Sequence, residues 1–176
     1  YLKIQSVGVT ESLEIQANKL LWLKDVLPVP EVLDYGIKEE YEYMITAEIP
    51  GIEASNALFK NDFHEVICLI AHGLQKIHKV SIKDCPFDNT LDKQLLIAQE
   101  NFAKKRIDQE EIERKFGEND LEKLMKELES TAMELVEDIV FIHGDYSLPN
   151  IIINDKGISG FIDLGYCGIS DRYYDL

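Results

Sequence analysis

Leu13, Ala17, Leu20 and Leu21 recur at helical spacing among polar neighbours, and the spacing predicts a helix ending near Leu23. Pro28 and Pro30 keep that helix from continuing. Ahead of it, Tyr1 to Gln5 reads as part of a strand. After it, Val32-Leu33-Asp34-Tyr35 and Glu42-Tyr43-Met44-Ile45-Thr46 read as two strands separated by a polar turn around Gly36. Pro50-Gly51 marks a further turn, and strand-rich sequence largely ends there. From Asp62 the period changes. Asp62 with Glu65 resembles a capping box, and Phe63, Val66, Ile67, Ile70, Leu74 and Ile77 trace one face of a long helix. Cys85-Pro86 interrupts the pattern. Leu121, Leu124, Met125, Leu128, Ala132 and Leu135 predict another amphipathic helix. The tail carries short apolar strands at Ile139 to Ile142 and Ile151 to Ile153, then Gly160-Phe161-Ile162. The expected layout is α+β. A small β-rich lobe with one helix, residues 1–48, joins a larger helical lobe with a β-hairpin, residues 49–176, near Ala47 to Gly51.

Composition narrows the class. A chain of 176 residues, 45% of them apolar, can bury a sizeable core. It holds no apolar run near the roughly 20 residues that cross a bilayer, so a membrane is not an expected partner. Tyr1-Leu2-Lys3-Ile4 looks like the middle of a strand and Asp175-Leu176 follows a motif directly, so both ends read as cuts. Cys68, Cys85 and Cys167 have neither disulfide-framework nor zinc spacing, which suits a reducing cytoplasm. A net charge of −15 opposes nucleic-acid binding. It suits a cationic partner and equally suits solubility alone.

The chemistry concentrates in His143-Gly144-Asp145-Tyr146-Ser147-Leu148-Pro149-Asn150 and, thirteen residues beyond Asn150, in Asp163-Leu164-Gly165. Each follows an apolar strand. Protein kinases set a catalytic-loop Asp five residues before a magnesium-binding Asn, with a second acidic ligand downstream in Asp-Phe-Gly. Asp145, Asn150 and Asp163 reproduce that step and that ligand set. Phosphoryl transfer needs a positioned hydroxyl and charge neutralisation at the β- and γ-oxygens, and magnesium prefers hard oxygen ligands such as Asp and Asn provide.

His143 to Asn150, Ser159 to Gly165 and Asp171-Arg172-Tyr173-Tyr174-Asp175 resemble the aminoglycoside 3′-phosphotransferases. So do Leu21-Trp22-Leu23, Leu27-Pro28-Val29-Pro30 and Asp84-Cys85-Pro86-Phe87, which extends the resemblance along nearly the whole chain. It implies a protein-kinase-like two-lobe fold, here with an incomplete N-lobe and a truncated helical C-lobe. It further implies ATP or GTP with Mg²⁺ as cofactors, Asp145 as the catalytic Asp, and Asn150 and Asp163 as magnesium ligands. His143 then supports the loop. Lys3 resembles the strand lysine that contacts the α- and β-phosphates, and Thr46-Ala47-Glu48-Ile49 resembles the hinge, where backbone groups of Ala47 and Ile49 meet the adenine.

Two positions depart from that family's pattern. Gln16 stands where a helix Glu would steady the strand lysine, and Tyr166 stands where Arg usually follows Asp-x-Gly. Asp108, Glu110, Glu111 and Glu113 form an acidic cluster, either a solvated helix face or, as the resemblance implies, part of the surface for a cationic aminoglycoside. Three readings stay open: an aminoglycoside 3′-phosphotransferase conferring resistance, a kinase-fold enzyme acting on macrolides or choline, and a non-catalytic nucleotide-binding remnant.

Overall fold

The computed structural model describes residues 1–8, 11–56, 63–117 and 120–176. Strand β1 (Leu2–Ser6) precedes helix α1 (Leu13–Leu23), and strands β2 (Val32–Lys38) and β3 (Tyr41–Thr46) follow. These strands form an antiparallel sheet in the order β1-β3-β2. The register aligns Lys3 with Met44 and Tyr35 with Met44 across the two ladders. Gly36 lies inside β2, opposite Tyr43, not in a turn. The turn falls at Glu39-Glu40, where Glu39 takes φ 58°. The side chain of Tyr43 passes over Gly36, where a Cβ would meet it at ordinary contact distance.

Helix α1 starts at Ser12, whose hydroxyl accepts the Glu14 amide at 3.1 Å. Leu13, Ala17, Leu20 and Leu23 are buried, as is Lys19. Leu21, expected on the buried stripe, is exposed. At 100° per residue Leu21 falls on the outer edge of that stripe, and burial extends instead toward Gln16, Lys19 and Leu23. The 163–167 segment meets that side of the helix, with Gln16 in contact distance of Gly165.

Strand β4 (Ile52–Glu53) leads to helix α2 (Phe63–His78). Asp62, the expected cap, lies outside the described residues. Val66 and Ile77 are buried on α2, while Ile67 is exposed. Gly73 sits where a Cβ would strike Ile158 and the Tyr146 hydroxyl, so α2 approaches the 143–150 segment closely. Helices α3 (Leu91–Ala103), α4 (Gln109–Phe116) and α5 (Leu121–Ala132) follow. The interruption at Cys85-Pro86 hid α3, although Leu91, Leu95 and Phe102 fall on one face. Helix α5 ends at Ala132, so Leu135, assigned to its stripe by spacing, lies beyond it and is exposed. Asp120 and Asp108 cap α5 and α4 by accepting amides of Lys123 and Glu111.

Strand β5 (Ile139–Ile142) pairs with β8 (Gly168–Asp171), and β6 (Ile151–Asn154) pairs with β7 (Gly157–Phe161) and with β4. One core runs through both regions. It joins Leu13, Ala17 and Leu23 of α1 to Ile77 of α2, Phe141 of β5, Ile151 of β6 and Phe161 of β7. Trp22 stacks on Phe141 at 5.5 Å and meets Phe87 edge-on at 5.8 Å. No helix among the described residues is long and apolar enough to cross a membrane.

Candidate active site

β5 delivers the first motif and β7 the second, because each strand ends in a loop directly before it. β5 holds four apolar residues, Ile139 to Ile142, the last three buried, and β7 buries Gly160 and Phe161 at its end. Asn150 closes a short 3-10 turn begun by Leu148-Pro149. Its amide nitrogen donates to the Asp145 carbonyl at 3.0 Å and to the Asp145 carboxylate at 2.9 Å. The five-residue step thus folds the two side chains onto one another. With its NH₂ engaged, Asn150 offers its amide oxygen to a cation.

The second loop is tied to the first. Ile162 donates its amide to the Asn150 carbonyl at 3.0 Å, immediately before Asp163. Gly144 takes φ 86°, a left-handed conformation favourable to glycine. A Cβ there would lie 2.3 Å from the Tyr166 carbonyl, so the loops touch backbone to backbone. Asp163 itself is left-handed, with φ 57° and ψ 48°. Its exposed carboxylate lies 3.5 Å from Lys3 Nζ. Lys3 Nζ also donates to the Gln16 side-chain oxygen at 2.9 Å. Gln16 therefore occupies the expected place beside Lys3, with an amide in place of a charge.

Lys3, Gln16, Ala47, Ile49 and Asp163 line one cleft of about 320 Å³, walled by Leu20, Met44, Ile152 and Ile162. The Ala47 amide donates to the Glu31 carbonyl at 2.8 Å, so that amide is engaged within the protein. Asp145 and Asn150 are not among the residues that line this cleft; the Ile162–Asn150 bond ties their loop to the strand end that does. The acidic cluster is placed otherwise. Asp108 caps α4, Glu111 pairs with Lys115 at 2.8 Å, and neither these nor Glu110 line the cleft. Tyr166 is exposed, and its carbonyl accepts from Asn89 at 2.8 Å.

Several site residues escaped sequence reasoning. Asp175 is buried and accepts the amides of His143 and Gly144 at 2.8 Å each, while His78 Nε2 lies 3.2 Å from the same carboxylate. The Asp171–Asp175 motif pointed at this position without revealing its partners. The Tyr146 hydroxyl donates to the Ile70 carbonyl at 2.6 Å, pinning the loop to α2, and burial pushes its phenol upward. His143 is fully buried, and its Nδ1 accepts the Asp145 amide at 3.3 Å, which assigns the ring proton to Nε2. Burial holds the His143 imidazole below its ordinary range, and the Asp175 and Asp145 carboxylates oppose that only in part. Lys19, Glu11 and Asn89 carried no sequence signal at all.

A sheet with one helix, set against helices and two strand-borne acidic loops with a cleft between, is a protein-kinase-like fold. The crystal structure of aminoglycoside-3′-phosphotransferase of type VIII superposes with a TM-score of 0.81 at 28% identity, covering 99% of this chain and 65% of that one. The Streptomyces rimosus aminoglycoside phosphotransferase APH(3″)-Id in complex with ADP and streptomycin gives 0.76 at 27% identity, covering 99% and 68%. The chain belongs to the phosphotransferase enzyme family, APH, whose profile matches residues 1–176. Among curated relatives, the aminoglycoside 3′-phosphotransferase of Niallia circulans is 33% identical over 176 residues, and that of Enterococcus faecalis is 33% identical over 174. The chain covers 100% and 96% of itself in those matches and spans 66% and 64% of the relatives' lengths.

Proposed function

We propose that the full-length protein carrying this chain transfers the γ-phosphate of ATP or GTP to the 3′-hydroxyl of an aminoglycoside antibiotic, and so confers resistance. The observation that carries the reading is the junction of the two motifs. Asn150 bonds Asp145, Ile162 bonds Asn150, and Asp163 then stands 3.5 Å from Lys3 at the cleft. The relatives named aminoglycoside 3′-phosphotransferases support the acceptor class.

The donor set at this junction suits magnesium: carboxylate and amide oxygens, with no cysteine or histidine among the residues that line the cleft. Asn150 and Asp163 would hold the ion, which when bound neutralises charge on the phosphate oxygens. Lys3 sits where it adds a further positive charge beside the phosphates, steadied by Gln16. The Ala47 carbonyl and Ile49 amide take the edge of the base, and the apolar walls of Leu20, Met44 and Ile152 take its faces. Asp145 orients the acceptor hydroxyl and takes up its proton, and Asn150 fixes the rotamer in which it does so. Asp108, Glu110 and Glu111 attract the ammonium groups of the antibiotic from the α4 side. The division between lobes falls, in this reading, at 48/49, and the cytoplasm, where nucleoside triphosphate is held, is the compartment.

The test is a coupled assay of the full-length protein with Mg·ATP and Mg·GTP against kanamycin, neomycin, a 3′-deoxy aminoglycoside, a macrolide and choline. Turnover of kanamycin and neomycin with none of the 3′-deoxy compound is expected. Turnover of choline or the macrolide alone would replace the acceptor, and nucleotide binding without turnover of any acceptor would favour the non-catalytic reading.

A further inference from the structure

Lys19 is an unusual occupant of a helix face that otherwise buries Leu13, Ala17, Leu20 and Leu23. Only 5% of the residue is exposed. An ammonium removed from water is strongly destabilising unless it is paired and hydrogen-bonded. Lys19 Nζ has three partners. It lies 2.8 Å from a Glu11 carboxylate oxygen, it donates to the Gly165 carbonyl, and it stands 5.8 Å from the centre of the Phe87 ring. Gly165 is two residues past Asp163.

The next two carbonyls of the same loop are held as well. Asn89 Nδ2 donates to Tyr166 O at 2.8 Å and to Cys167 O at 3.2 Å. Three consecutive carbonyls are therefore fixed from outside by two side chains. The two anchors are themselves joined, because Phe87, under Lys19, is two residues from Asn89 and its carbonyl accepts the Ile169 amide at 2.7 Å. A shift of this loop would also disturb Gly144, which rests against the Tyr166 carbonyl.

A second link between α1 and the site is the Lys3–Gln16 bond at 2.9 Å, from a charged donor to an uncharged amide in an exposed setting. Open to water, such a bond is weaker than a buried one. Lys19, three residues further along the same helix, makes charge-assisted contacts in a buried setting, where they are stronger.

We propose that Lys19, with Glu11 as its counter-ion and Asn89 as a second anchor, is a positioning residue that fixes the Asp163 loop to helix α1. It thereby sets where the Asp163 carboxylate stands for magnesium and the nucleotide phosphates. The proposal rests on the phosphotransferase reading given above.

The experiment measures binding of AMP-PNP to the full-length protein by calorimetry across Mg²⁺ concentrations, alongside thermal unfolding and steady-state kinetics. Lys19→Met keeps the apolar stem and removes all three contacts. Asn89→Ala removes a half-exposed side chain and leaves the core intact. Both are expected to raise the half-saturating Mg²⁺ concentration, by about tenfold for Lys19→Met, as for loss of an outer-sphere support. Neither should change KM for the aminoglycoside. Lys19→Gln, which retains a donor for the Gly165 carbonyl, should lie between Lys19→Met and wild type. Unchanged Mg²⁺ dependence in Asn89→Ala and Lys19→Met, with normal wild-type turnover, overturns the proposal and leaves the assigned function standing. If Lys19→Met does not fold, the Asn89→Ala result decides. A wild-type protein that binds Mg·AMP-PNP but phosphorylates no aminoglycoside removes the proposed acceptor only, and the Mg²⁺ titrations still decide the role of Lys19. A wild-type protein that binds no Mg·AMP-PNP overturns both.

Discussion

Asp145 and Asn150 are coupled in a way that separates their mutational signatures. Asp145→Asn keeps the size of the side chain and removes the proton acceptor, so kcat should fall more than tenfold, beyond about 1.4 kcal/mol of barrier, while nucleotide affinity stays near wild type. Retention of more than a tenth of kcat would show that Asp145 has another role. Asn150→Ala should lower kcat and Mg·nucleotide affinity together, because Asn150 bonds the Asp145 carboxylate as well as offering its own oxygen. For Asp163 the informative change is to Asn. The left-handed backbone at φ 57° tolerates Asn and would strain Ala, so Asp163→Asn removes charge with little change in fold. Its loss of Mg·nucleotide affinity in calorimetry should exceed that of Asn150→Ala, since a carboxylate neutralises the ion and an amide does not. Equal losses would contradict the assignment.

Elements hold the loops by a few contacts that can be weighed one at a time. Tyr146 fastens the 143–150 segment to α2 through the Ile70 carbonyl at 2.6 Å. Tyr146→Phe removes that bond without a cavity and should lower stability by about 1 kcal/mol in denaturant unfolding. Because the freed carbonyl belongs to a helix, no larger loss is expected; a change several times greater would mean the loop had detached. Helix α1 depends on its first turn: Ser12→Ala removes the bond to the Glu14 amide and should cost about 1 kcal/mol. Since α1 carries Gln16 and Lys19, a frayed start would show first as a raised Mg²⁺ requirement. Strands β5 and β6 were legible as apolar runs, β7 only by its end at Gly160-Phe161, and the two motifs were legible as loops. The partner of β5 was not, because β8 lies 26 residues past the end of β5 and Gly168-Ile169-Ser170-Asp171 has no strand pattern of its own.

At the scale of the molecule the buried His143 links stability to pH. Its folded-state pKa lies below the ordinary value of 6.5 because burial disfavours the imidazolium. The unfolded chain therefore binds a proton first as pH falls. Its stabilising contribution is complete above about pH 6.5 and declines as pH drops through the folded-state value, with a slope approaching 1.4 kcal/mol per pH unit. Denaturant unfolding of the wild type between pH 5 and 8 should show this loss on the acidic side, and His143→Asn should remove that part of the slope. A profile unchanged by the substitution would place the titration elsewhere.

Residue order by itself determined the local parts: the α1 and α2 spans, the strands before each motif, and the spacing that sets Asn150 back onto Asp145. These follow from periodicity, proline and glycine, and short-range geometry, all of which act within about a dozen residues. It also marked Gln16 and Lys3 as neighbours, through the family resemblance, and the contact at 2.9 Å agrees. Only the tertiary structure decided what surrounds those parts. Asp175 meets His143 from 32 residues away, Asn89 meets Tyr166 from 77, and Lys19 meets Gly165 from 146. No local pattern encodes such pairs. A polar residue such as Lys19 has the same propensity in an exposed helix as in a buried one, and it is the loop brought against it by the shared core of α1, β5 and β7 that turns it from a solvated charge into an anchor.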